Sequence, residues 1–136
     1  KKRNRKITLF AYRTLTNAII ARADREGVAV FKVKPAYTSV VGKLKYMAQR
    51  GIPIHVAAAL VIARRGMGFK EKVPPALSAA LPEKIRRRHH WAHWAYLQKQ
   101  VKGIKTHHLY RLGKELEGGA PFKEALKRLK SLPRAG

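Results

Sequence analysis

Cysteine is missing from all 136 residues of this chain. A chain without thiols has no disulfide partner, no thiolate zinc site and no cysteine nucleophile. Acidic residues are also scarce, since 7 Asp and Glu stand against 31 Lys and Arg. Chemistry that needs several carboxylates around two metal ions is therefore not expected from these residues alone.

Long apolar runs are a third absence. No run approaches the roughly 18–20 residues that span a bilayer. Polar residues interrupt the segment after the basic start KKRNRK, which excludes a secretory signal of the usual pattern. We therefore expect no membrane partner and a cytoplasmic, nucleoid-associated location.

Positive charge is what the chain has in excess, with a formal net charge of +24. Apolar residues make up 46% of the chain, enough to bury a core, so we expect a folded protein rather than a disordered basic tail. Repulsion among the cations opposes compaction, and phosphates would relieve it while releasing counterions. DNA, RNA or both are the partners that this composition favours.

The hydrophobic pattern of the first half predicts an α/β arrangement. Apolar residues at three- and four-residue steps predict a helix over residues 7–26, which ends at Gly27. The β-branched run 28–34 predicts a strand. Residues 35–51 are predicted as a loop with a short helical turn, and the alanine-rich run 55–65 as a helix that packs on a sheet.

Prolines divide the chain further. Pro74, Pro75 and Pro82 indicate a connector, and three helices are predicted after it, at 83–102, 105–117 and 121–132. The predicted organisation is an α/β part at 1–69, a proline-rich connector at 70–82 and a basic, mostly helical tail at 83–136.

The sequence VKPAYTS at residues 33–39 is the most specific motif of the chain. With the basic helix and strand predicted before it, it resembles the C-terminal part of the RuvC-like nuclease domain of TnpB-type proteins, which insertion-sequence transposons encode. The resemblance covers residues 1–69. It implies an RNase H-like (RuvC-like) α/β fold, of which this chain would be a C-terminal fragment.

The resemblance also implies a function for the whole protein, namely metal-dependent, RNA-guided cleavage of DNA with Mg²⁺ or Mn²⁺ and a guide-type RNA. The family's four-cysteine zinc ribbon is replaced here by residues 40–52, so no zinc ribbon is expected. The family's first catalytic Asp and middle Glu would lie upstream of Lys1. This chain alone is therefore expected to bind no cofactor and to be inactive.

His55 occupies the position of the family's last acidic residue, in the sequence HVAAA at 55–59. The resemblance makes His55 the candidate catalytic and metal-binding residue. A neutral imidazole at the start of a helix could bind Mn²⁺ or orient a water molecule. The alternative is a histidine that packs or caps the helix without a metal. Asp24 and Glu26 are expected to pair with nearby arginines instead of a metal.

The run RRRHHWAHW at 86–94 combines cations with aromatic rings. Histidines at helical spacing could offer two imidazoles to zinc, but no acidic ligand accompanies them. We favour a basic–aromatic surface, in which arginines contact phosphate and an indole stacks on an unpaired base. Of Trp91 and Trp94, one is expected in the core.

Further basic clusters are expected to contact the nucleic-acid backbone without reading its sequence. The predicted contacts are Lys2, Arg3, Arg5, Lys43, Lys45, Arg50, Arg64, Arg65, Arg86, Arg87, Arg88 and Trp91. A ribosomal-type RNA-binding protein without enzymatic activity is the main alternative, because its charge and size would look the same. A DNA-compacting protein is a third hypothesis.

Overall fold

Helices provide all the regular secondary structure in residues 2–133, the part of the chain that the computed structural model describes. Lys1, the side chain of Lys2 and residues 134–136 lie outside that part. The chain separates into two units, Lys1–Lys32 and Val33–Gly136. The predicted division at 1–69, 70–82 and 83–136 stays a prediction.

The predicted α/β fold of RNase H-like type is wrong, because residues 2–133 contain no strand and no sheet. Residues 28–34, predicted as a strand, have no regular secondary structure. A strand needs a second strand to pair its backbone N–H and C=O groups. The described part of the chain offers this run no such neighbour, so its β-branched composition does not decide its structure.

The first unit consists of helix α1 (Lys2–Arg25) and the irregular residues after it. This helix confirms the one predicted over 7–26, and Arg22 pairs with Glu26 at 2.9 Å as expected. Six of its large apolar side chains are at least half exposed: Ile7, Leu9, Phe10, Tyr12, Leu15 and Ile19. The apolar face of α1 is therefore present but unburied.

The second unit begins with two helices joined at a sharp bend. Three helical pieces follow one another without a break: α2 (Thr38–Val41), a π-helical segment (Gly42–Met47) and α3 (Ala48–Arg50). We call this stretch, Thr38–Arg50, the bulged helix. Helix α4 (Ile54–Gly66) follows, and the two are bent by 109° relative to each other. The helix predicted over 55–65 is confirmed, whereas the predicted loop over 35–51 is mostly helical.

A close backbone contact joins the bulged helix to α4. A Cβ atom added to Gly42 would lie 2.9 Å from the Ala58 nitrogen and 3.0 Å from the Ala57 carbonyl carbon. Only glycine fits at this distance, and the small alanines of α4 allow the approach. The alanine-rich helix was predicted to pack on a sheet, but it packs on another helix.

The remaining helices are α5 (Pro75–Ser78), α6 (Glu83–Arg86), α7 (His90–Gln100), α8 (Thr106–Glu117) and α9 (Phe122–Ser131). The helices predicted at 105–117 and 121–132 are confirmed. The single helix predicted over 83–102 is interrupted, because His89 leaves the helical conformation. Its Nδ1 accepts a hydrogen bond of 3.4 Å from the backbone N–H of Trp91 and so caps α7.

The core lies in the second unit and joins the bulged helix, α4 and α7–α9. Trp94 is only 1% exposed, which confirms that one tryptophan belongs to the core. The apolar side of α9 is buried as its spacing predicts. The largest fully buried side chains are Val41, Met47, Val61, Trp94, Leu97 and Leu129.

No single helix in the described residues has the length and apolar composition to cross a membrane. The bulged helix and α4 meet those two criteria only when taken together across their bend. Both contribute side chains to the core, among them Val41 and Val61.

Candidate nucleic-acid interface

Glu71 is a buried carboxylate, 3% exposed, with three side-chain donors. Its Oε2 accepts hydrogen bonds from Lys45 Nζ at 2.6 Å and from the Tyr46 hydroxyl at 2.8 Å. Its Oε1 accepts one from Arg64 Nε at 2.7 Å. The backbone carbonyl of Glu71 accepts a further bond from Trp94 Nε1 at 2.7 Å. We call these five residues the Glu71 network.

The Glu71 network keeps its carboxylate ionised. Burial alone would raise the pKa of Glu71, but the hydrogen bonds from Lys45, Arg64 and Tyr46 outweigh it and hold that pKa below the ordinary value. Burial and the bond to Glu71 raise the pKa of the Tyr46 hydroxyl, which therefore stays a donor. Lys45 and Arg64 were predicted to contact nucleic acid, but each forms an ion pair with Glu71.

A second group of cations surrounds Trp91, whose indole is half-buried at the start of α7. Lys34 Nζ lies 4.9 Å from the indole centroid and the Arg65 guanidinium carbon 5.4 Å from it. These distances are within the range of cation–π attraction. The ring of Tyr37 approaches Trp91 edge-on, with centroids 5.7 Å apart.

The motif at residues 33–39 is held in place by Arg65. One guanidinium nitrogen, Nη1, donates to the backbone carbonyls of Lys34 at 2.6 Å and Ala36 at 2.7 Å. Tyr37 has φ 63, a left-handed conformation that costs a non-glycine residue energy. Thr38 then closes the turn by donating its hydroxyl to the Pro35 carbonyl at 2.9 Å. The motif thus forms the turn that begins the bulged helix beside Trp91.

The pKa of His90 is lowered by burial and by the positive charges around it. Burial lowers the pKa of His90, and the neighbouring His89, Lys70, His93 and Arg65 lower it further. Every charged neighbour that acts on this imidazole is therefore a cation or another histidine. We call Lys34, Arg65, Lys70, His90 and Trp91 the Trp91 cluster.

The Trp91 cluster differs from the Glu71 network in its ion pairs, although burial lowers the pKa of Arg65 and the nearby Glu71 charge acts to raise it. None of Lys34, Arg65 and Lys70 forms an ion pair with a carboxylate in the described part of the chain. Lys34 and Lys70 are exposed, so an incoming anion can reach their ammonium groups. The arrangement suits a phosphate, which would supply the missing negative charge.

The arginines of the run 86–88 serve partly as structural groups. Arg86 Nη2 donates to the Leu81 carbonyl at 3.2 Å, and Arg87 pairs with Glu83 at 3.0 Å. Arg88 is exposed. His93 Nε2 is hydrogen-bonded to the backbone carbonyl of Arg86 at 3.1 Å, so this ring nitrogen already has a partner within the fold.

The other predicted contacts are dispersed. Arg3 and Arg5 lie exposed on α1, and the predicted side chain of Lys2 falls outside the described residues. Arg50 lies over the Tyr46 ring at 5.7 Å. Lys43 is half-buried on the bulged helix, on the side that faces α8. The structure thus brings Arg65 and Trp91 together and places the remaining predicted residues elsewhere.

His55 is exposed in the first turn of α4. No group of three or more His, Asp or Glu side chains in the described part of the chain is arranged to hold a metal ion. His89 and His90 have ring centroids 4.0 Å apart, but they too belong to no such group. The catalytic and metal-binding role of His55 stays a prediction.

Glu71, Lys34 and Lys70 were missed by sequence reasoning. One signal was available for Glu71, since any buried acid in a chain this basic is expected to collect several cations. The sequence does not predict a role for Lys34 and Lys70, because they lie far apart in the chain. In the structure, Lys34 lies over Trp91 and Lys70 acts on the adjacent His90.

Comparisons with models of protein families, with curated proteins and with solved structures find no match. The resemblance of residues 1–69 to TnpB-type proteins therefore stays a prediction from the sequence. The cationic surface around Trp91 is the feature of the folded chain that bears most directly on function.

Proposed function

We propose that this chain is the nucleic-acid-binding part of a TnpB-related, transposon-encoded protein. It holds DNA or RNA by the phosphate backbone, and the Trp91 cluster is the centre of that contact. The single observation that supports this most strongly is that Lys34 and Arg65 lie over Trp91, with Lys70 acting on the adjacent His90, and that none of these three cations is ion-paired with a carboxylate in the described residues.

A phosphate fits this cluster better than a carboxylate side chain of another protein does. The chain as a whole is strongly positive, so a polyanion gains from many weak contacts and not from one. Lys34 and Lys70 are exposed point charges that suit phosphate oxygens. Arg65 is fixed by two backbone carbonyls and sets the position of the site.

The indole of Trp91 has a different role from the base-stacking one predicted from the sequence. Lys34 and Arg65 already lie within cation–π distance of its ring. We infer that Trp91 orders these two cations for phosphate binding, while stacking on a base would first require Lys34 to move away. Affinity should therefore depend little on base sequence.

The proposal assigns binding, and not cleavage, to this chain. Two acids of its second unit are ion-paired within the fold, Glu71 with Lys45 and Arg64 and Glu83 with Arg87. Metal-dependent, RNA-guided cleavage with Mg²⁺ or Mn²⁺ is proposed only for the whole TnpB-related protein. His55 is the residue of this chain that would take part.

Salt dependence and a matched pair of double variants test the binding site. If about six phosphates are contacted, a plot of log affinity against log salt concentration should have a slope of about −5 on duplex DNA. Lys34→Ala with Lys70→Ala should reduce the slope by about 2, because two phosphate contacts are lost. The control, Lys99→Ala with Lys102→Ala, removes the same charge from exposed positions on and just after α7.

Fluorescence anisotropy with duplex DNA, single-stranded DNA and RNA measures both slopes. Equal losses in the two double variants would mean that only net charge matters, and the proposed site would be wrong. A strong preference of the wild type for one folded RNA over all other probes would instead favour the ribosomal-type alternative.

A further inference from the structure

A groove runs between the bulged helix and α8, and residues 72–77 form its third side. Its volume is about 890 Å³. Neither Lys34 nor Arg65 nor Trp91 lines it, so the groove is separate from the Trp91 cluster. We call it the leucine groove, because leucines from three parts of the chain form its floor.

The floor of the leucine groove is aliphatic. Leu44 comes from the bulged helix, Leu77 from α5, and Leu109 and Leu116 from α8. Residues 109–114, 116 and 117 of α8 line the groove, and four of them, at 109, 112, 113 and 116, share one helix face. At 1.5 Å per residue, this floor extends for about 10 Å along α8.

Gly113 keeps the groove open at its middle. It lies inside α8, where glycine weakens a helix, and a Cβ added there would meet no atom within 4 Å. A larger residue would therefore stabilise the helix and project into empty space. Gly113 therefore adds no side chain to the centre of this face and leaves that part of the groove empty.

The rim of the groove is positively charged. Lys43, Lys72, Arg111 and Lys114 line it, and Glu117 is the one acid among its described lining residues. None of the four cations forms an ion pair with a carboxylate that the structure describes. An apolar ligand that entered the groove would need negative charges on both flanks to match them.

We propose that the leucine groove binds an acidic amphipathic helix of a partner protein. Helices that dock in grooves present apolar residues at i, i+3, i+4 and i+7, which is the pattern that a floor two helical turns long accepts. Glutamates on the flanks of such a helix would lie beside the cations of the rim. This partner site goes beyond nucleic-acid binding and does not depend on it.

Nucleic acid fits the groove less well than such a helix does. Bases bind in protein clefts mainly by stacking on aromatic rings. Tyr110 is the one aromatic ring among the described lining residues, and its hydroxyl donates to the Ile52 carbonyl at 3.2 Å. A second copy of this chain is also disfavoured, because its unburied apolar helix, α1, carries several cations and would be repelled by the rim.

The probe is a synthetic, fluorescein-labelled helical peptide of about 16 residues, with leucine at i, i+3, i+4 and i+7 and glutamate on both flanks. A peptide of the same composition but scrambled order, which has no leucine face, is the control ligand. At about 0.15 M salt the patterned peptide should bind in the micromolar range, and the scrambled one at least about tenfold more weakly.

Gly113→Leu fills the groove and is the blocking variant. It should weaken the patterned peptide by about tenfold or more, since the leucine occupies the space of the peptide's apolar face. Gln98→Leu places the same side chain on an exposed position of α7 and should change nothing. Circular dichroism checks that both variants keep their helices, and the affinity of Gly113→Leu for duplex DNA should equal that of the wild type.

Reversal of the rim gives a second, independent result if Gly113→Leu folds poorly. Lys72→Glu with Lys114→Glu should reject the acidic peptide and accept a lysine-flanked peptide with the same leucine pattern. Equal binding of patterned and scrambled peptides would overturn the proposal. So would loss of DNA binding in Gly113→Leu without loss of peptide binding, or a dimer in sedimentation that Gly113→Leu abolishes.

Discussion

Arg64 and Arg65 are neighbours in the sequence, yet their guanidinium groups belong to different clusters. Arg64 donates to the buried Glu71 carboxylate, whereas Arg65 donates to two backbone carbonyls and lies over Trp91. In the Glu71 network positive charge is matched inside the fold. In the Trp91 cluster it is left unmatched, so the first arginine is expected to stabilise the protein and the second to serve a polyanion.

The two tryptophans should give the largest difference between these clusters. Trp94 is buried and donates to the Glu71 carbonyl, so Trp94→Leu should cost about 3 kcal/mol of the free energy of unfolding. Trp91→Leu should cost about 1 kcal/mol or less, because mainly cation–π contacts are lost. Urea unfolding followed by circular dichroism measures both.

Nucleic-acid affinity should show the reverse order. Trp91→Leu leaves Lys34 and Arg65 without the ring that orders them, so affinity should fall by about two- to fivefold. The fraction of Trp94→Leu that remains folded should bind as the wild type does. If Trp94→Leu weakened binding more than Trp91→Leu did, the assignment of stability to one cluster and binding to the other would be wrong.

Glu71→Gln should destabilise the fold by about 2–4 kcal/mol, since it leaves Lys45 and Arg64 beside a buried neutral amide. The matched control is Glu83→Gln, which removes an exposed acid that pairs with Arg87. Its effect should stay within about 0.5 kcal/mol. Similar losses in the two variants, measured by urea unfolding, would show that Glu71 has no special structural role.

Acid should act through the same carboxylate. The folded-state pKa of Glu71 lies below its ordinary value of 4.5, so the unfolded chain binds this proton first. The stability that Glu71 contributes is therefore complete above about pH 4.5 and is lost as the pH falls through the folded-state pKa. Wild-type stability should drop in that range more steeply than that of Glu71→Gln. Parallel curves would place the acid sensitivity in other carboxylates.

The sequence predicted the helices of this chain better than its fold class. Helices α8 and α9 were predicted correctly because apolar residues at three- and four-residue steps directly describe a buried helix face. The run 28–34 has the composition of a strand, but a strand exists only with a partner, which its own residues do not specify. The π-helical segment begins at Gly42, whose close contact with α4 is a property of the packed structure that its own residues do not specify.

The site was predicted in part for a similar reason. Trp91 was named as a nucleic-acid contact because it follows the arginines at 86–88, and Arg65 because it belongs to a cluster of basic residues. Lys45 and Arg64 were also named as members of a basic cluster. Both form ion pairs with Glu71, which is distant from Lys45 in the sequence. Counting cations therefore predicts a class of partner, whereas the ion pairs of Glu71 show which of these cations are already paired within the fold.

Protonation of His90 should give the effect most specific to the Trp91 cluster. Burial, then His89, Lys70, His93 and Arg65, hold its pKa below the ordinary value of 6.5, so the free protein keeps this imidazole neutral near pH 7. A bound phosphate would favour the protonated form, so binding takes up a proton. Affinity for duplex DNA should rise by about two- to fivefold between about pH 7.5 and about pH 5.5.

Stability should move in the opposite direction over the same range. Because the folded-state pKa of His90 is lowered, the unfolded chain binds the proton more readily, and this contribution to stability falls as the pH drops below about 6.5. His90→Gln should flatten both the rise in affinity and the fall in stability, whereas His107→Gln, on the exposed side of α8, should leave both unchanged. A proton-linked rise in affinity that survives His90→Gln would mean that phosphate does not reach this imidazole, and the centre of the interface would have to lie among cations other than those around Trp91.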